Sequence, residues 1–222
     1  RVRSKLNKME NLRIPKNYFI VEVEKPYEDS VNLNGVEFKI NITYEPLKHA
    51  RQYGIVYKVP EWLPEGLDFD VKVGDKVYFH HLITANTGNL NISKTYGEAS
   101  WKDYQSEHLF TLEDKENLYK VHWDYIYARV RDGEVKMLNH WNFVEQKKES
   151  EDDIKTDSGI YFKPDVEEIT LRGYVRNMNP WLKEQGIKEG DEVFFSTNSE
   201  YEMKIEGKKL LRMRNQDILA KI

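Results

Sequence analysis

The sequence contains no cysteine among its 222 residues. This absence excludes disulfide bonds, thiolate zinc sites and thiol nucleophiles. The chain also has no run of about 18 apolar residues, the length that a membrane-crossing helix needs, and residues 1–12 lack the apolar core of a secretory signal. We therefore expect a cytoplasmic protein that has no membrane partner.

A strong charge of one sign is missing as well. The sequence has 34 Lys and Arg residues against 38 Asp and Glu residues, so its formal net charge is -4. A protein that binds nucleic acid presents a basic surface to the phosphates. This composition therefore predicts that the protein has no nucleic-acid partner.

Motifs of catalysis and of cofactor binding are absent too. The sequence has no Gly-x-Ser-x-Gly motif, phosphate-binding loop or dinucleotide fingerprint, and no motif that sets two carboxylates as an acid and a base. His80 and His81, together with His108 or His122, could be interpreted as metal ligands, but adjacent residues of a strand point to opposite faces. We expect no catalytic residues, no cofactor and no metal site, and therefore no enzyme.

What the chain does contain is an internal repeat, which is best sought before any other pattern. Four blocks occur twice in the same order: residues 18–22 and 141–145, 35–38 and 159–162, 54–63 and 173–182, and 71–79 and 187–195. The distance from Gly54 to Trp62 equals that from Gly173 to Trp181. Since chance rarely preserves both order and spacing, we interpret the chain as two diverged copies of one domain.

Short β-branched and aromatic runs dominate both copies and indicate an all-β fold. Tight turns are predicted at Gly74-Asp75, Asp132-Gly133 and Glu206-Gly207, and no long stretch has helical periodicity. Such a pattern is typical of β-barrels. The predicted organisation has these parts: an N-terminal extension at residues 1–11, a first barrel at 12–132 with a polar insertion at about 81–117, and a second barrel at 133–222.

The closing segment of the chain, residues 204–222, resembles the GroES, or chaperonin-ten, family. It carries a Leu-x-Met motif at Leu211 and the sequence Asp-Ile-Leu-Ala from Asp217. The Gly-Asp blocks at 71–79 and 187–195 are similar to a strand of the same family. The resemblance covers nearly all of residues 133–222, and more loosely residues 12–80 and 118–130. It implies two tandem GroES-like β-barrels, in an arrangement that is also compatible with a phage-encoded protein.

The resemblance also implies a binding site. In the family, an acidic mobile loop follows the first strand and ends in an apolar tripeptide that docks on the chaperonin. Residues 147–158 match that loop, and a carboxylate at Glu37 interrupts the tripeptide of the first copy, which predicts weaker binding there. The residues that the resemblance assigns to chaperonin binding are Gly159, Ile160, Tyr161 and Phe162 in the second copy and Val36 and Phe38 in the first.

The function implied is that of a co-chaperonin that caps a GroEL-type chaperonin and assists protein folding. A homo-oligomeric ring of such chains is expected, because repeated heterologous contacts close into rings. The zinc alcohol dehydrogenases share the barrel, but they need ligands and a nucleotide-binding half that this sequence lacks. A structural or assembly protein, for example a phage particle component that does not bind a chaperonin, remains the alternative because fold does not fix function.

Overall fold

In the computed structural model, the chain divides into two compact units, Arg1–Glu134 and Val135–Ile222. The described residues of both units form mainly antiparallel strands with almost no helix, which confirms that the fold is predominantly β. No helix of the described residues is long and apolar enough to cross a membrane. The structure describes residues 12–28, 30–39, 48–67, 69–85, 108–112, 115–148, 154–155, 161–162 and 168–222, and all structural statements refer to these.

One large sheet and one separate hairpin form the first part of the chain. The strands are β1 (Tyr18–Glu22), β2 (Ser30–Leu33), β3 (Val36–Lys39), β4 (Tyr53–Lys58), β5 (Lys76–Phe79), β6 (Leu109–Leu112), β7 (Lys115–His122), β8 (Ile126–Arg131) and β9 (Glu134–Met137). The sheet has the order β6-β7-β1-β4-β5-β8-β9, while β2 and β3 pair only with each other. Short 3₁₀ turns at His81–Ile83 and Trp123–Tyr125 precede or follow its strands.

The second unit is built in the same way. Its elements are β10 (Trp141–Lys148), β11 (Ile154–Lys155), β12 (Tyr161–Phe162), β13 (Glu168–Asn177), the helix α1 (Pro180–Glu184), β14 (Glu192–Phe195), β15 (Tyr201–Ile205), β16 (Lys208–Arg214) and β17 (Ile218–Lys221). The sheet has the order β15-β16-β10-β13-β14-β17, and β11 pairs with β12. This order corresponds strand by strand to β6-β7-β1-β4-β5-β8.

Two glycines at equivalent positions explain part of the repeated sequence. A Cβ on Gly54 would lie 2.6 Å from the backbone oxygen of Glu22, and a Cβ on Gly173 would lie 2.5 Å from the backbone oxygen of Glu145. These strands therefore approach too closely for any side chain at the glycine positions. The same packing constraint acts on β4 against β1 and on β13 against β10.

The Gly-Asp turns predicted from the sequence also have matching geometry. The glycine before each aspartate has a positive φ, 92° in the first unit and 89° in the second. The Oδ2 atom of Asp75 accepts a hydrogen bond from the backbone N–H of Lys72 at 2.7 Å, and Asp191 accepts one from Lys188 at 2.7 Å. Each aspartate therefore closes its own turn and leads the chain into β5 or β14.

Buried apolar side chains of the strands form the core of each unit. Burying each large aliphatic or aromatic side chain stabilises the folded chain by roughly 1.5–3 kcal/mol. In the first unit the fully buried residues include Phe19, Val21, Val77, Phe79 and Ile126. In the second unit one cluster consists of Val144, Val175, Val193, Phe195, Leu211 and Met213.

Part of the range in which the sequence predicts an insertion, residues 81–117, forms strands of the first sheet. Residues 81–117 include β6 and the start of β7, which pair through Phe110 and Leu118. This hairpin occupies the same place in its sheet as β15 and β16 do in theirs. Its strands therefore have counterparts in the second sheet. Residues 86–107 and 113–114 of the expected insertion lie outside the described residues.

Candidate partner-binding hairpins

The two small hairpins follow the first strand of each sheet, where the sequence predicts partner binding. In the first unit, β2 and β3 are joined by Asn34 and Gly35, whose φ angles are 52° and 86°. Two positive φ values in a two-residue connection indicate a type I′ turn, which matches the twist of the strands. The side-chain oxygen of Asn32 accepts a hydrogen bond from the backbone N–H of Gly35 at 2.9 Å and so supports the turn.

Four apolar side chains lie on one face of this hairpin. Val31 is paired with Phe38, and Leu33 is paired with Val36. Because directly opposed residues share a face and alternate residues of a strand do the same, all four belong to one surface. Their exposed fractions are 41%, 57%, 56% and 52% for Val31, Leu33, Val36 and Phe38, and we call this surface the apolar hairpin face.

The opposite face of the hairpin is polar. Asn32 is paired with Glu37, and Ser30 is paired with Lys39. The Glu37 carboxylate therefore lies on the face away from Val36 and Phe38, although the sequence places it between them. The carboxylate does not interrupt the apolar surface, because residues of a strand alternate between its two faces.

Backbone contacts at residues 26–28 and 49–51 fasten the base of the first hairpin. Tyr27 and Ala50 form an antiparallel bridge. Next to this bridge, the backbone N–H of Glu28 donates to the oxygen of His49 at 2.8 Å, and the N–H of Arg51 donates to the oxygen of Pro26 at 2.8 Å. The chain that enters the hairpin is therefore paired with the chain that leads to β4.

In the second unit the corresponding hairpin consists of β11 and β12. Ile154 is paired with Phe162, and Lys155 is paired with Tyr161. Two of the predicted docking residues therefore lie on a strand in the position expected for the binding element. The other two, Gly159 and Ile160, lie outside the described residues.

The start of the predicted acidic loop belongs to a strand instead. β10 continues through Lys148, and the Nζ atom of Lys147 lies 2.8 Å from Oε1 of Glu192. Hydrogen bonding from Lys147, together with the charge of Arg172, holds the pKa of Glu192 below its usual value despite some burial. Lys147 is thus a structural ion-pair partner of β14.

Sequence reasoning found half of the apolar hairpin face. The family motif points to Val36 and Phe38, whereas it does not include Val31 and Leu33. The available signal was the Asn-Gly turn flanked by alternating apolar residues, which is a strong local indication of a hairpin. With a two-residue turn the register follows directly, and the register places all four side chains on one face.

The histidines His80 and His81 lie at a turn and not on a strand. His80 and His81 were placed on a strand with opposite orientations, which is wrong because β5 ends at Phe79 and the two imidazoles stack with centroids 4.4 Å apart. The Nδ1 atom of His80 accepts from the backbone N–H of Leu82 at 3.2 Å. Among the residues that the structure describes, no three His, Asp or Glu side chains are grouped as a metal site would require.

Comparison with known proteins gives a family for this architecture. Residues 134–222 match the family model described as Chaperonin 10 Kd subunit. The co-chaperonin GroES of Wolinella succinogenes is 34% identical over 73 residues, which cover 32% of this chain and 82% of that relative. The co-chaperonin GroES of Rhodothermus marinus is 36% identical over 72 residues, which cover 30% of this chain and 72% of that relative. The chain belongs to the Chaperonin 10 Kd subunit family.

Proposed function

We propose that this protein is a co-chaperonin that caps a GroEL-type chaperonin and assists the folding of other proteins. The observation that carries the proposal is the apolar hairpin face, which is exposed in a chain whose relatives are co-chaperonins. Apolar side chains gathered on one exposed surface are typical of a protein interaction site. Any ATP chemistry would belong to the chaperonin.

We further propose that the chain arose by tandem duplication of one GroES-like β-barrel, with the copies at residues 12–132 and 133–222. Six strands of the first sheet have the same order as the six strands of the second, which supports this proposal because unrelated sheets rarely share a long strand order. The cramped glycines Gly54 and Gly173 and the matching Gly-Asp turns support it at the level of single residues.

Both hairpins take part in the proposed docking. In the second unit the docking residues are Gly159, Ile160, Tyr161 and Phe162, and in the first they include Val36 and Phe38. Burial of each large apolar side chain contributes about 1.5–3 kcal/mol, and ordering a loop on binding costs about 2–5 kcal/mol. Single loops therefore bind weakly.

A homo-oligomeric ring would combine these weak contacts. Repeated heterologous contacts close into a ring that matches a symmetric partner. Effective concentration then raises the overall affinity by a factor on the order of a hundred to ten thousand. The cap stays releasable because each separate contact is weak.

Substitution in the second hairpin tests this function. Ile160→Ser and Phe162→Ser should abolish chaperonin-dependent refolding of a denatured client in the presence of ATP, because the second hairpin would lose its apolar contacts. The measurement is the yield of refolded client with the purified chaperonin and each variant. Glu189→Gln, at an exposed position before the second Gly-Asp turn, is the matched control and should behave as the wild type.

The outcome also separates the two functions considered from the sequence. If Ile160→Ser and Phe162→Ser both support refolding at the wild-type level, docking through the second hairpin is wrong. A wild-type chain that neither binds the chaperonin nor supports refolding would contradict the co-chaperonin function itself. In that case, a structural or assembly protein would be the better interpretation.

A further inference from the structure

We infer that the first hairpin docks on the chaperonin as a preformed ribbon, with all four residues of the apolar hairpin face in contact. Val31 and Leu33 of β2 then contribute alongside Val36 and Phe38 of β3. The inference rests on the proposed co-chaperonin function and extends it, because it assigns contact residues outside the tripeptide. It also reverses the expectation that the first copy binds weakly.

The register of the hairpin places the four apolar side chains next to one another. Val31 lies opposite Phe38 and Leu33 lies opposite Val36, so the four side chains form a compact two-by-two patch. Each of them is between 41% and 57% exposed, and among the described strands β2 and β3 pair with each other and not with the larger sheet. A partner that covers Val36 and Phe38 must therefore also cover their cross-strand neighbours.

The first hairpin is already paired in the free chain. The type I′ turn at Asn34 and Gly35, the Asn32 hydrogen bond and the bridge between Tyr27 and Ala50 hold the strands in register without a partner. A segment that is already paired loses less conformational entropy on binding than one that must first fold. The smaller entropy loss compensates for the smaller apolar area that Val36 can bury, compared with the aromatic residues of the second hairpin.

The charges of the hairpin segment indicate which kind of partner surface can bind the apolar hairpin face. Residues 26–39 carry the carboxylates of Glu28, Asp29 and Glu37 against the single ammonium of Lys39. Glu37 and Lys39 lie on the opposite side of the hairpin, so the apolar hairpin face itself is uncharged. An anionic membrane would repel the net negative charge of the segment. The occupant that fits is an apolar groove with basic or neutral margins on a protein partner, which is the chaperonin.

The test compares substitutions on the two faces of the hairpin. Val31→Ser and Leu33→Ser, made singly, should each weaken binding of the full chain to an immobilised GroEL-type chaperonin with ATP by about tenfold. Glu37→Gln, on the opposite face, is the matched control and should change the Kd by less than about twofold. Thermal unfolding of every variant should match the wild type, because the substituted side chains are exposed.

A second variant separates preorganisation from contact. Gly35→Ala adds a methyl group that meets no atom within 4 Å, but it strains a residue whose φ is +86°. It should weaken binding by a factor of several without removing any apolar contact, because fewer free molecules have the paired hairpin. Binding at the wild-type level would show that the hairpin need not be preformed, and would overturn that step.

Each remaining outcome decides one claim. If wild type binds and the Val31→Ser and Leu33→Ser variants bind equally well, the four-residue face is wrong while the co-chaperonin function stands. If the wild type does not bind the chaperonin, both proposals are wrong. If Leu33→Ser instead dissociates an oligomer of the isolated protein in light scattering, the face belongs to a second copy of the chain, which also overturns the inference.

Discussion

Asp75 performs two tasks, one local and one that depends on the whole sheet. Its carboxylate closes the Gly-Asp turn through Lys72, and it also accepts hydrogen bonds from Nε and Nη2 of Arg131, both at 2.7 Å. The side chain is almost fully buried. Burial works to raise the pKa of Asp75, but hydrogen bonds from Arg131 and Lys72 and the charges of Arg131 and Arg129 together lower it below the usual value.

We predict that Asp75→Asn destabilises the folded chain. The variant should reduce the free energy of unfolding by about 2–3 kcal/mol at pH 7, because hydrogen bonds to a buried charged group are lost or weakened. The folded-state pKa of Asp75 lies below its usual value of 3.8, so its stabilisation is present above pH 4 and disappears as the pH falls through the lowered pKa. Urea unfolding at pH 7 and at pH 3 measures both effects.

The expected result is a difference between wild type and variant that shrinks towards pH 3. Glu134→Gln, at an exposed position directly after Asp132 and Gly133, serves as the control and should leave stability within about 0.5 kcal/mol. An equal loss at both pH values would contradict a role for the charge of Asp75.

Sequence reasoning found only the local task of Asp75. The Gly-Asp pair before an apolar strand predicts a tight turn, and that prediction is confirmed. The contact with Arg131 spans 56 residues and depends on the pairing of β5 with β8. No local pattern contains that information, because side chains of separate strands meet only after the sheet has formed.

At the level of elements, the helix α1 is tied to the second sheet by asparagines. The side-chain oxygen of Asn179 accepts from the backbone N–H of Leu182 at 3.0 Å and caps the helix. Its amide nitrogen donates to the backbone oxygen of Trp141 at 3.3 Å and to the side chain of Asn215. Asn142 completes the network by donating to Asn215 at 2.8 Å and accepting from the backbone N–H of Asn179 at 3.0 Å.

We predict that Asn179→Ala destabilises the second unit by about 2–4 kcal/mol. The loss of an N-cap costs about 1 kcal/mol. The backbone oxygen of Trp141 and the side-chain oxygen of Asn215 each lose the donor that Asn179 supplies, which adds about 1–3 kcal/mol. Urea unfolding monitored by tryptophan fluorescence measures the change. Lys183→Ala, on the exposed side of the same helix, should change stability by less than about 0.5 kcal/mol, and an equally small effect of Asn179→Ala would show that the network does not hold the helix.

Elements differ in how well the sequence predicts them. The repeated sequence blocks overlap β1, β4 and β5 and their counterparts β10, β13 and β14. The Asn34-Gly35 turn predicts a hairpin by local rules alone. The pairing of the hairpin β6-β7 with β1 was not predicted, because Tyr18 meets His122 across more than a hundred residues. The two copies also fill equivalent positions differently, since Phe19 packs on Phe69 in the first unit where Asn142 bonds Asn215 in the second.

For the whole molecule, the main feature is the similar strand order of the two large sheets. Sequence blocks in matching order predict two similar halves, and six strands of the first sheet follow the same order as the six strands of the second. The sequence of one chain does not predict how chains assemble into a ring, because a ring depends on surfaces that meet only between molecules. The strand β17 is the surface on which we base the proposed contact between chains.

β17 lies at one end of the second sheet, and its neighbour there is β14 alone. A strand at a sheet edge offers unpaired backbone groups to another chain. Two apolar side chains at this edge, Leu219 and Ile222, are 63% and 56% exposed. In a homo-oligomeric ring, this edge would contact the neighbouring chain, because a heterologous contact joins different surfaces of identical molecules.

We therefore predict that Leu219→Lys dissociates the ring into smaller species while each chain stays folded. A charged residue on an exposed edge blocks pairing with a second strand and does not disturb a core in which it takes no part. Native mass spectrometry of the wild type should give one closed stoichiometry, and the variant should give mainly single chains with an unchanged circular dichroism spectrum. Leu33→Ser, which alters the apolar hairpin face, is the control and should keep the wild-type stoichiometry. A variant that retains the same closed stoichiometry would exclude β17 as the contact between chains, whereas a wild type that forms an open series of sizes would contradict the ring itself.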